Sequence, residues 1–161
     1  MLRNAVNYGG EYLIYGGHYV EESGTYSGVE TSDPHHVQKY VTAVVAAIKS
    51  GVFTYIAHPD LINFSGDIDF YKQEMRKICV ASRECGIPLE INFLGIRTGR
   101  IYPNEDFWEI AGEEKCPVTY GFDAHDPQAA CDLDSVKRAD ELVAKYGLCY
   151  IGEPKIIRID K

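Results

Sequence analysis

No two cysteines in this chain stand as a CxxC pair. Its five thiols, Cys79, Cys85, Cys116, Cys131 and Cys149, are odd in number and scattered, which argues against a disulfide framework. The pattern predicts reduced, mostly buried thiols in a cytoplasmic protein. There is no dense run of Lys or Arg either. Sixteen basic residues stand against 24 acidic ones, for a formal net charge of −8. Nucleic acid and anionic membranes are thereby excluded as bulk partners, although a few local arginines suffice to hold one phosphate. No apolar run approaches the length of a membrane-spanning helix, and the first residues lack a signal-peptide pattern. Low-complexity tracts, internal repeats and interdomain linkers are also missing.

What is there describes a folded domain. Hydrophobic residues make up 45% of the 161 positions and charged residues 25%, so disorder is excluded and a real core is affordable. The whole chain, 1–161, reads as one domain or a large piece of a bigger one. Its pattern alternates. A short strand around Tyr12 to Tyr15 is followed by a polar loop, "VEESGTYSGVETSD", long enough for a lid or a site loop. Asp33 and Pro34 are an N-cap and a first helical residue, starting a helix that Gly51 ends after Ser50. The strand "VFTYIAH" follows, then a helix over Asp67 to Cys85 closed by Gly86, then the strand "IPLEINF". A third helix begins near Asn104, "CPVTYGF" is the next strand, Ser135 to Tyr146 form a fourth helix, and "PKIIRID" reads as a last strand. Strands alternating with helices imply an α/β fold of parallel βα units.

In such a fold all strand C-termini lie on one face, where βα barrels carry their sites. His18, His58, Asp123 and His125 all fall at such ends. Three imidazoles and a carboxylate suit Zn²⁺, Mn²⁺ or Fe²⁺. Asp123 and His125, two apart, would share a face of an extended strand. His35 and His36 follow a proline in a first helical turn and read as solvated surface. Glu90 and Asn92 alternate with Leu89, Ile91 and Phe93. They form either a polar inner layer or a wall of the site. Beyond them "GIRTGR" is a glycine-rich loop, where the guanidinium of Arg97 or Arg100 can bind a phosphate bidentately.

The segments "YLIYGGHYV", "YIAHPDL", "PLEINFLGIR", "RIYPNEDFWEIAGEEKCPVTYGFDAHDP" and "KYGLCYI" resemble, in order and over nearly the whole chain, the PHP (polymerase and histidinol phosphatase) family, most closely its histidinol-phosphatase branch. The resemblance implies a seven-stranded TIM-like (β/α)7 barrel holding one to three divalent metal ions. It implies hydrolysis of a small phosphate monoester such as L-histidinol phosphate, a step of histidine biosynthesis. It makes His18 and His58 metal ligands, with Asp123 and His125 closing the cluster as ligands and catalytic groups. Arg97 would lie near the phosphate; Arg100 in the loop and Asn92 on the strand are the further candidate substrate contacts read from the residues themselves.

Family members begin with an HxH motif, another His and a bridging Glu, none of which precedes residues 12 to 18 here. The expectation is therefore the C-terminal part of a barrel, incomplete at its N-terminus, with an unpaired sheet edge. Such an edge favours a homo-oligomer or a segment that supplies the missing strands. Two functions follow. One is a metal-dependent phosphoesterase, active when the barrel is complete; the other is a non-catalytic remnant or interaction module binding at most one metal. A TIM-type metal amidohydrolase fits the order "LEIN", "YP", "DAH" less well.

Overall fold

The computed structural model describes residues 6–7, 9–20 and 24–159. The capping chemistry read from the sequence sets its helices. The side chain of Asp33 accepts from the His35 amide, and Pro34 opens α1, Pro34–Ser50. Asp67 likewise caps α2, Ile68–Cys85, and Asn104 caps α4, Glu105–Glu114. Asp132 caps α5, Leu133–Tyr146, so this helix starts two residues before the expected Ser135. Gly51, Gly86 and Gly147 end α1, α2 and α5 in the left-handed conformation, which glycine adopts without steric cost.

The strands are β1 (Leu13–Gly16), β4 (Phe53–Ala57), β5 (Leu89–Asn92), β6 (Pro117–Gly121) and β7 (Cys149–Tyr150), all parallel and ordered β1-β4-β5-β6-β7. Neighbours in the sheet are thus neighbours along the chain. With right-handed crossovers such an order puts the helices on one face. There α1 contributes Val37, Tyr40, Val41, Val44 and Ile48 to the core, and α2 contributes Met75, Ile78 and Cys79. Helix α4 adds Phe107 and Trp108, both fully buried. Two-stranded β2 (Tyr19–Val20) and β3 (Thr25–Tyr26) form a hairpin inside the long polar loop, whose residues 21–23 lie outside the described ones.

Four expectations need correction. "PKIIRID" is not a strand of the sheet. β7 is Cys149–Tyr150, after which the chain turns and Arg158 forms an isolated antiparallel bridge to Tyr12. Pro154 has no N–H to donate to a ladder, and the donors that follow go elsewhere: Ile157 N–H to Thr54 Oγ1, Ile159 N–H to the Glu11 carbonyl. The stretch after Asn92 is a short helix rather than a loop, α3, Phe93–Thr98, capped by Asn92 itself. Two thiols, Cys79 and Cys116, are buried, but Cys85, Cys131 and Cys149 are exposed; all five are free. His36 is not plain surface, since its Nε2 is buried without a hydrogen-bond partner. Among the described residues no helix is long and apolar enough to cross a membrane.

Candidate functional site at the strand C-termini

The parallel sheet does bring the expected residues to one edge. His58 follows β4 directly, His18 stands two residues beyond β1, and Asp123 and His125 stand two and four beyond β6. All four line one cavity of about 430 Å³, together with Glu90, Asn92, Arg100, Tyr102 and Tyr26. A larger groove, about 670 Å³, lies between α1 and α2; it is lined by aliphatic, polar and charged side chains and no histidine, so the chemistry points to the smaller cavity.

Within it the histidines pair. The rings of His18 and His58 meet edge to face with centroids 4.7 Å apart. They sit above Gly16, where a Cβ would come within 2.8 Å of the His18 ring and 3.4 Å of the His58 ring. Only glycine leaves that space. The buried Nδ1 of His58 has no hydrogen-bond partner. Burial first, and the neighbouring His18 second, lower its pKa to about 4, so at neutral pH the ring is uncharged with a lone pair for a ligand.

The turn that carries His58 is pinned from three elements. From β5, Glu90 Oε2 accepts the His58 amide at 3.0 Å. From α1, the Tyr40 hydroxyl donates to the Pro59 carbonyl at 2.9 Å. Asp60, 1% exposed, reaches to α4: its Oδ2 accepts the Asn104 amide at 2.7 Å and Trp108 Nε1–H at 2.9 Å. So held, His58 has φ 31°, and Asp123 has φ 41°. Left-handed backbone at non-glycine residues is uncommon and concentrates at functional sites. The third such residue, Lys115, merely caps α4.

Asp123 is positioned by its neighbours too. Asn92 Nδ2 donates to Glu90 Oε2 at 2.8 Å and to Asp123 Oδ2 at 3.2 Å. Arg97 donates to the carbonyls of Phe122 (2.7 Å) and Asp123, and stands 3.7 Å from Asp132. Its guanidinium is thus occupied with the strand end, and it is Arg100 that lines the cavity. His125 is exposed, with Nδ1 3.0 Å from the Asp123 carbonyl. That bond needs a proton on Nδ1 and leaves Nε2 free.

Glu90 joins the two halves of the site. Burial raises its pKa to about 7 against the donors Asn92 and His58. Its Oε1 fills the space over Gly121, where a Cβ would lie 1.7 Å from it. Gly121→Ala should therefore push Glu90 aside and cost about 1–3 kcal/mol of stability, the usual range for overpacking, read from denaturant unfolding. Glu90→Ala should recover part of that loss in the double variant. Additive effects would mean the two positions are not in contact.

Imidazole and carboxylate are donors of the kind a divalent transition metal takes. His18 and His58 form a side-by-side imidazole pair with an orphaned nitrogen, and Asp123 and His125 line the same cavity. Among the described residues no three His, Cys, Asp or Glu groups converge on one point. Sequence reasoning overlooked Asp60 and Tyr102, whose ring lies 5.7 Å from that of His58. The signal was an aspartate directly after "HP" and a tyrosine before a proline. No protein-family model matches the sequence, and a search of the curated proteins returns no match.

Proposed function

We propose that this chain is a metal-dependent phosphoesterase of the PHP type, acting on a small phosphate monoester such as L-histidinol phosphate when its barrel is complete. One observation supports this most. A neutral, buried histidine with an unpartnered Nδ1 stands against a second histidine in a cavity that also holds Asp123, His125 and an arginine. The five consecutive parallel strands are compatible with part of a (β/α)7 barrel wall.

His18 and His58 would hold the metal, with Asp123 and His125 as the further ligands. A bound Zn²⁺, Mn²⁺ or Fe²⁺ supplies Lewis-acid polarisation of the phosphoryl oxygens and a more acidic water. The chain's own residues do the rest. Arg100 faces the cavity and neutralises charge on the phosphate. With Nδ1–H engaged by the Asp123 carbonyl, Nε2 is the nitrogen that His125 would offer to the metal. Arg97 keeps the Asp123 backbone in place, so its loss should lower kcat through Asp123.

The alternative, a non-catalytic module, is favoured by the lack of a third converging ligand among the described residues. Steady-state hydrolysis of histidinol phosphate, with Mn²⁺ or Zn²⁺ added, separates the two. The isolated chain should turn over slowly, and a second chain that supplies the family's HxH and Glu strands should raise the rate. That increase should vanish in Asp123→Ala. Metal-loaded protein with no turnover, even when complemented, would leave the module reading.

A further inference from the structure

A second cavity, about 410 Å³, opens on the other side of residues 99–103, between α3, the start of α4 and α5. Arg100 and Tyr102 line both cavities. Helix α5 contributes Arg138, Glu141 and Lys145, and α4 contributes Glu105. Lys145 and Glu105 neutralise each other: Nζ lies 2.8 Å from Glu105 Oε2, which also accepts the Tyr146 hydroxyl at 3.0 Å.

The charges left over are unusual for this chain. With 24 acidic residues against 16 basic ones, an arginine should readily find a carboxylate. Arg76, Arg83, Arg97 and Arg158 all do. Among the described residues, Arg100 and Arg138 are the two arginines without one, and both line this cavity. Among the described residues, the Arg100 guanidinium donates only to the Tyr102 hydroxyl, at 3.2 Å. Like charges brought to one cavity repel, and a bound anion reverses the sign of that interaction.

We propose that this cavity binds a small phosphate dianion, free or as a monoester, between Arg100 and Arg138. Glu141, which also lines it and has no cation partner among the described residues, opposes more highly charged anions and favours a phosphate that carries a nearby ammonium. Because Arg100 faces both cavities, a ligand here draws it away from the candidate metal site and lowers phosphate affinity there. The effect on the metal site rests on the phosphoesterase reading; binding in this cavity does not, since it is measured without metal.

Titration calorimetry in EDTA at low salt, with inorganic phosphate and with phosphoethanolamine, tests it. Both should bind, phosphoethanolamine more tightly. Arg138→Ala, an exposed position on α5, should weaken both by about tenfold, the worth of a charge-assisted hydrogen bond. Glu141→Gln should tighten inorganic phosphate and remove the preference for the amine. His58→Ala should change neither. No binding by the wild-type chain overturns the proposal. So does binding that survives Arg138→Ala but is lost in His58→Ala, because the phosphate then occupies the other cavity.

Discussion

Replacing His58 by alanine should strip the chain of divalent metal while leaving it folded. Protein loaded with Zn²⁺ or Mn²⁺ and then desalted should retain metal in elemental analysis. His58→Ala should lower the affinity by well over about tenfold, because even the outer-shell partners of metal ligands cost 10–100-fold when lost. Three features make this effect large. The ring is held by its backbone amide on Glu90, its Nδ1 is buried and unsatisfied, and His18 lies against it. Asp123→Asn keeps the shape but removes a charge, so it should weaken binding as well. His35→Ala, exposed at the start of α1, should have no effect. A wild-type chain that stays metal-free under loading, or a His58→Ala variant that binds normally, would exclude a working metal centre here.

The second large effect belongs to Asp60. Asp60→Ala leaves the Asn104 amide and the Trp108 indole N–H without their acceptor. At about 1–3 kcal/mol for each of these two unsatisfied donors, the loss should be about 2–6 kcal/mol. Asp60→Asn keeps an oxygen for both donors and should be much milder. Burial raises the Asp60 pKa from 3.8 to about 7, against the pull of those donors. The folded chain therefore holds a proton between about pH 4 and 7 that the unfolded chain releases. Stability from this group is full below pH 4 and falls as pH rises through 7, by up to about 1.4 kcal/mol per pH unit. Glu90, raised to about 7 as well, acts in the same direction. His58, lowered to about 4, acts oppositely: its contribution is present above pH 6.5 and is lost as pH falls through 4. Urea unfolding of the EDTA-treated protein between pH 4 and 8 should show a flatter profile in Asp60→Asn. An unchanged profile would mean that Asp60 is ionised throughout.

The parts of this protein legible in its sequence are those set by neighbours along the chain. Asp33-Pro34, Asp67 and Asn104 announce helix starts because a cap bonds an amide two or three residues away. Gly51, Gly86 and Gly147 announce ends for an equally local reason. The alternation of these helices with apolar runs fixed parallel βα connections, and with them the common edge at which His18, His58, Asp123 and His125 stand.

Tertiary contacts decided what those residues face. Nothing local distinguishes Arg97 from Arg100, three residues apart. The helical turn of α3 sends one guanidinium to the carbonyls of Phe122 and Asp123 and leaves the other in the cavity. Glu90 reads equally well as inner layer or site wall. It is buried, yet it lines the cavity and bonds a backbone amide 32 residues away. Asp60 looked like the end of a turn until α4 packed its Trp108 against it, across 48 residues. "PKIIRID" has the composition of a strand, and it failed to become one because its partners in space are Thr54 and Glu11. Strand pairing and buried hydrogen bonds join residues far apart in the chain, and a sequence window of a dozen residues does not contain both ends of such a bond.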